Sequence, residues 1–219
     1  SVFDIKTKEA DFNDFNGQAA IGPITSNLSF QIPVIQDKAS LIVGGRGTYS
    51  NWILRQLDDE NLRNSTASFY DTNLKYTHKF NDENKLEVAG YYSYDSFNVT
   101  RDSVQTYSNR FQSLKYSHKF NEKNSGDLIF ANSEYKFNLK FDENAVNDFE
   151  LAYRIVETEL KLKMKYDLNK QHKIEYGISN KLFNVSPGNI TPKGNQSIVN
   201  EFNSPEERGL ESALFLSDN

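Results

Sequence analysis

The sequence predicts an all-β chain, the antiparallel wall of a transmembrane β-barrel with about ten strands, on three observations. Apolar and charged residues alternate with period two over long stretches, as in Val156–Leu168, where Val, Thr, Leu, Met and Tyr alternate with Glu, Lys and Asp. Only 37% of the 219 residues are hydrophobic, yet the chain holds 12 Tyr and 16 Phe, a composition suited to half-polar strands and not to a large aliphatic core. Short polar turns also take turns with longer loops along the chain, as they do on the two rims of a membrane barrel.

The expected strands lie near residues 15–22, 27–35, 39–53, 67–80, 85–98, 107–120, 126–141, 149–168, 173–186 and 207–217. In the fifth, Leu86, Val88, Gly90, Tyr92 and Tyr94 oppose Lys85, Glu87 and Ser93. In the seventh, Ile129, Ala131, Ser133, Tyr135, Phe137, Leu139 and Phe141 share a face, opposite Glu134, Lys136, Asn138 and Lys140. In the ninth, Ile174, Tyr176, Ile178 and Leu182 oppose Lys173, Glu175 and Lys181. Several strands reach the roughly 9–11 residues that cross a bilayer. "QDK", "NDEN", "NEKNS" and "NKQH" supply the short turns; 54–66, 99–106, 142–148 and 187–206 supply the long loops. No stretch approaches the roughly 18–20 apolar residues of a membrane helix, which leaves strands as the means of spanning.

Charge and composition narrow the function. A net charge of −5 gives no general basic footprint for nucleic acid. The absence of cysteine removes disulfides and thiolate metal sites. Neither Gly-x-Ser-x-Gly nor a phosphate-binding Gly loop occurs, so no catalytic residue, cofactor or enzymatic role is expected. The acidic runs 57–61 and 141–148 lack the ligand spacing of a calcium loop and fit solvated loops. Asn-x-Ser/Thr triplets at Asn27, Asn64, Asn98, Asn189 and Asn195 follow from an Asn- and Ser-rich composition.

One repeat invites a metal site. "LKYTHKFNDEN" from Leu74 recurs as "LKYSHKFNEKN" from Leu114, with His78 and His118 in equivalent places. One intervening strand separates them by roughly 10 Å, too far for one zinc ion with nitrogens at about 2.1 Å. A third copy, "LKMKYDLNKQH", aligns Asn169 with Asn81 and Asn121 and puts Tyr166 in the histidine position. Tyr76, His78, Phe80, Tyr116, His118, Phe120 and Tyr166 are therefore expected as an aromatic girdle at the short-turn rim, where amphipathic rings meet headgroups. No metal is expected.

The first fifty residues resemble the plug-to-barrel junction of TonB-dependent outer-membrane receptors of the Bacteroidetes type. The resemblance rests on Ser1–Lys8, Gly17–Gly22, Pro33, Asp37-Lys38 and Arg46–Tyr49, and the tail "ERGLESALFLSDN" is similar to a barrel strand of that family. It implies that residues 1–14 end a plug and its linker, and that 15–219 form the N-terminal part of a barrel of roughly 22 strands. It implies a bacterial outer-membrane importer of a large scarce nutrient, a siderophore, glycan or similar. Expected partners are outer-membrane lipid, a TonB-type energising protein acting through a preceding segment, and a surface lipoprotein or other outer-membrane subunits. A passive porin-like barrel and a structural or interaction subunit of an outer-membrane complex are the alternatives.

Arg46 lies opposite Leu41, Val43 and Tyr49, so its guanidinium is expected in the lumen, against the plug or in a salt bridge within the wall. Trp52, Arg55, Tyr94, Phe97 and Arg101 gather at the long-loop rim. There they are candidates to stack on or bind a substrate, although an outer aromatic girdle wants the same residues. If the histidines only mark the interface, His78→Tyr combined with His118→Tyr leaves membrane insertion and uptake intact; a bound metal lost from that double variant would show a site instead.

Overall fold

The computed structural model describes residues 8, 11–100, 103–142 and 146–218. Most of the expected plug end and Arg101 lie outside the described residues. The chain forms one antiparallel sheet. Its strands are β1 (Asn16–Ile21), β2 (Thr25–Ile35), β3 (Ala39–Thr48), β4 (Thr66–Lys79), β5 (Asn84–Thr100), β6 (Ser103–Lys119), β7 (Asn124–Phe141), β8 (Phe149–Asp167), β9 (Lys173–Pro192), β10 (Phe202–Asn203) and β11 (Glu207–Asp218). Each strand from β1 to β9 pairs with the next, and both β10 and β11 lie on the far side of β9. No second layer packs on the sheet among the described elements. Many of its large apolar side chains are accordingly well exposed, and Ala39 is the one buried hydrophobic residue described.

All ten expected strands are present, with three corrections of extent. The third stops at Thr48, because Asn51–Leu54 (α1) and Glu60–Asn64 (α2) turn as short helices. Ser50 Oγ donates to Ala67 O, and the Asn51 side chain accepts from Ala67 N, so both tie this connection to β4 instead of continuing β3. The long loop expected over 99–106 is absent: β5 runs to Thr100, β6 starts at Ser103, and these two residues pair. The ninth strand runs to Pro192, past a register shift opposite Ala152 and Arg154.

The two rims differ as expected in kind. The connections at 36–38, 80–83, 120–123 and 168–172 lie on one rim; the longer ones at 49–65, 142–148 and 193–201 lie on the other, together with the tight ones after Ile21 and Thr100. Three of the short turns use the same device. Asn81 Oδ1 accepts from Glu83 N (3.0 Å) and Asn84 N (2.8 Å). Asn121 Oδ1 accepts from Lys123 N (2.9 Å) and Asn124 N (3.0 Å), and Asn169 Oδ1 from Gln171 N (2.8 Å) and His172 N (3.0 Å). An asparagine carboxamide that mimics a backbone turn suits such a reversal. The repeat in the sequence is the repeat of this turn. The fourth turn instead places Asp37 at φ 61°, a left-handed conformation that Asp tolerates better than branched residues.

The segment before β1 returns to the short-turn rim. Asp37 N donates to Phe12 O at 3.3 Å, Lys79 Nζ lies 4.1 Å from the Phe12 ring centre, and Lys75 Nζ donates to Lys8 O at 3.3 Å. Asp11 accepts the N–H groups of Asn13 and Asp14, which hold its carboxyl below the usual range.

Replacing Asn81 or Asn121 with Ala is expected to cost about 1 kcal/mol each, read as a lower urea midpoint for the refolded protein in detergent. At Asp37, Gly is expected to be tolerated and Val to cost about 1–2 kcal/mol.

Candidate functional site

Register fixes which side chains share a face. One face carries Leu74, and the rows Leu41–Tyr76–Val88–Leu114–Phe130–Leu160 and His78–Leu86–Tyr116–Leu128–Leu162–Ile178 run across it. The opposite face carries Lys75 and, over the same height, a ladder of charges. Glu87 faces Lys75 (3.3 Å), Lys85 (3.3 Å) and Lys115 (3.5 Å), and Glu175 faces Lys163 (2.6 Å). The alternation expected from Val156–Leu168 holds here.

Higher up the wall the two faces exchange character. On the Leu74 face the next rows bring Arg110, Glu134, Lys136 and Arg154 together. On the Lys75 face the rows become aromatic and aliphatic, with Tyr107–Phe137–Tyr153 in register beside Leu139–Leu151 and Tyr135–Ile155. Ile129 to Phe141 share a face, as expected for the seventh strand, and register shows that it is the Lys75 face, with Ile129 opposite Lys115 and Lys161. Leu128 and Phe130 are what β7 gives to the apolar rows.

The upper Lys75 face holds a stacked seam. Phe97 lies over Tyr107 with ring centres 6.3 Å apart and planes 4° from parallel. Tyr107 follows to Phe137 at 5.0 Å, and Phe137 to Tyr153 at 5.6 Å. Spacings of about 4.5–7 Å suit offset aromatic packing. Gly188 (φ 151°) sits at the register shift opposite, and a Cβ there would come 3.0 Å from Tyr153 Cε1, so the bulge gives the ring its room. Beside the seam, towards β1, a groove of about 770 Å³ is framed by Gln31, Asn73, Lys75, Tyr91 and Phe111.

The expected rim residues divide. Phe97 belongs to the seam. Tyr94 points to the opposite face, stacked on Tyr70 at 5.6 Å, with Tyr92 6.0 Å from Tyr70. Trp52 lies in α1, and its Nε1 donates to Pro23 O at 3.1 Å, which ties the loop to the β1–β2 connection. Arg55 caps α1 and does not meet Phe97 through any described contact. Tyr107, Phe137 and Tyr153 were not singled out from sequence. Counting outward from the Asn121 turn would have placed them on the Lys75 face.

Arg46 bridges to the neighbouring strand: its Nε and Nη2 donate to Asp71 at 2.8 and 2.7 Å, and its guanidinium lies 5.1 Å from the Phe69 ring centre. At the short-turn rim, His78 Nδ1 meets Tyr76 Oη at 2.9 Å and its ring stacks on Phe80 at 4.5 Å. His118 Nδ1 meets Asn84 Oδ1 at 2.8 Å, with Phe120 edge-on at 4.5 Å. Tyr166, on the same face, is in register with Asn124 and Ile174. Among the described residues no three His, Asp or Glu side chains gather as metal ligands.

No protein-family model and no curated protein matches the chain. Among solved structures, it is similar to the ferric yersiniabactin uptake receptor FyuA from Yersinia pestis, with a TM-score of 0.50 and 11% identity. The match covers 88% of this chain and 34% of that receptor, so the chain spans about a third of its length. This likeness establishes the fold, an antiparallel β wall like that of the receptor's barrel.

A Val at Gly188 is expected to displace Tyr153 and destabilise the wall by about 1–3 kcal/mol, read from urea unfolding; Tyr153→Ala in the same background should recover part of that loss.

Proposed function

We propose that this chain is a stretch of the wall of an energised outer-membrane importer, and that it takes part in capturing a large scarce ligand at the long-loop rim. The exchange of faces carries the reading. From Tyr70 on β4 to Phe80 just past its end, and from Arg110 on β6 to Phe120 just past its end, a rise of ten residues spans ~33 Å. At a usual barrel tilt that is ~25 Å of height, the apolar band of an outer-membrane barrel. Within this band the Leu74 face is apolar and meets lipid, while the charged Lys75 face lines a lumen.

Above the band the strands continue into water. The outward face becomes charged, and the inward face becomes aromatic. A plain channel has no use for a stacked apolar seam on the lumen side of its emergent wall. A receptor does: flat, partly apolar ligands such as metal chelates or sugars gain by stacking on Phe97, Tyr107, Phe137 and Tyr153. The groove beside Lys75, Tyr91 and Phe111 lies on the route from that seam to the short-turn rim. In that setting the segment before β1 is the end of a plug, and Arg46, anchored on Asp71 and half exposed, keeps a guanidinium edge free to meet it. The open edges of β1 and β11 are closed by further strands, since unpaired backbone is untenable in lipid.

The similarity to an uptake receptor for a ferric siderophore supports this class of ligand. The TonB-dependent resemblance of the first fifty residues supports energising through a periplasmic partner.

The test uses the full-length protein in cells. Phe137→Ala, and separately Tyr107→Ala, are expected to lower binding and uptake of a supplied ferric chelate or oligosaccharide about tenfold, with heat-modifiable barrel mobility unchanged. Uptake that continues at full rate without the energising protein would identify a passive barrel instead.

A further inference from the structure

The charged cluster on the Leu74 face is left unused by ligand capture, because it points away from the lumen. It is a compact object. Glu134 is only 8% exposed and is surrounded by three cations: Arg154 Nη2 at 2.6 Å, Lys136 Nζ at 3.1 Å and Arg110 Nη2 at 3.9 Å. Arg154 also gives its Nε to the same carboxylate at 2.7 Å. The cations remain about half exposed, at 50%, 52% and 46%. Glu150, the next carboxylate upward on this face, is held by Asn138 and by Lys193 at 3.3 Å and does not neutralise them.

Three cations around one carboxylate leave a net charge of +2 (3 − 1). The arginines keep N–H donors that Glu134 does not use, and the loosely held Arg110 can turn outward. A phosphomonoester, with a charge of about −1.5 to −2 and three acceptor oxygens, matches both the charge and the donors. The height is fixed independently. Arg110 stands in register with Tyr92, Tyr70 packs on both Tyr92 and Tyr94, and amphipathic rings mark the level of lipid headgroups.

Resting on the membrane-wall reading above, we infer that Arg110, Lys136 and Arg154, preorganised by buried Glu134, form a binding site on the lipid-facing side for the phosphomonoester of a lipid headgroup in the outer leaflet. Glu134 acts as a positioning residue. It fans the three cations around one point and limits their mutual repulsion when the site is empty.

The experiment uses the full-length protein in nonionic detergent and native mass spectrometry with three probes. They are phosphatidic acid as the simplest lipid phosphomonoester, phosphatidylcholine as a lipid without one, and glycerol phosphate as a soluble source. Phosphatidic acid is expected to bind at least tenfold more tightly than either of the others. Arg110→Gln with Lys136→Gln is expected to remove about tenfold of that preference, leaving Arg154 to hold Glu134. Glu134→Gln, which removes the shared anchor of the three cations, is expected to lower the preference for phosphatidic acid, whereas a purely structural ion pair predicts no lipid effect. Equal binding of the two lipids, equal binding of glycerol phosphate, or an unchanged preference in the double variant would each overturn the inference. Flotation of the protein with vesicles is measured in parallel. If it floats and shows no phosphate preference, only the lipid site fails; if it does not float, the membrane-wall reading fails and takes the site with it.

Discussion

The backbone hydrogen-bond ladder between neighbouring strands is the interaction on which this molecule depends. A single sheet has no second layer to bury its side chains, so the usual core contribution is missing and each strand is held chiefly by the strands beside it. That ladder is continuous from β1 to β9, and it sets every side chain's face through the period of two. It also leaves two strands half-partnered. β1 is exposed throughout, and Leu210, Leu214 and Leu216 on β11 are among the most exposed apolar residues of the chain. The same hydrogen bonding that builds the wall therefore leaves a row of unpaired backbone groups at each of its two edges.

A fixed register makes height as informative as face. Along the long strands the side chains on each face change character with height. Below the Tyr70–Arg110 level, lipid-type side chains oppose a charged ladder centred on Glu87 and Glu175. Above it, ion pairs replace leucines on one side and aromatic rings replace lysines on the other. The exchange needs no change in backbone direction. It is accomplished by side-chain choice alone, apart from the bulge at Gly188, which makes room for Tyr153.

Much of this was legible in the sequence, and the exceptions share a cause. The strict alternation from Val156 to Leu168 identified a strand and both of its faces correctly. The turn asparagines identified the short-turn rim, because a carboxamide turn is a local event that its neighbours do not alter. For β7 the shared face of Ile129 to Phe141 was read correctly, but a strand taken in isolation does not show which neighbours that face has. Only register places it beside Lys115 and Lys161. Trp52 was placed on a strand because nothing local announces the hydrogen bonds from Ser50 and Asn51 that stop β3. Residues 99–106 were read as a loop, yet β5 runs on to Thr100, which pairs with Ser103 at the start of β6. The aromatic seam escaped notice because its members are far apart in sequence and meet only across three strand interfaces.

The repeated asparagine turn also bears on how the wall is made. Each such turn closes a hairpin within a handful of residues, so the entropy lost in closing it is small. Almost every remaining contact is then between sequence neighbours, and the order β1 to β9 can be laid down one strand at a time against a growing edge. Assembly of this kind needs no long-range search. Its exposed intermediate is always the same object, a sheet with one fresh edge. The cell's problem with such a chain is then to guard that edge until the final strand arrives.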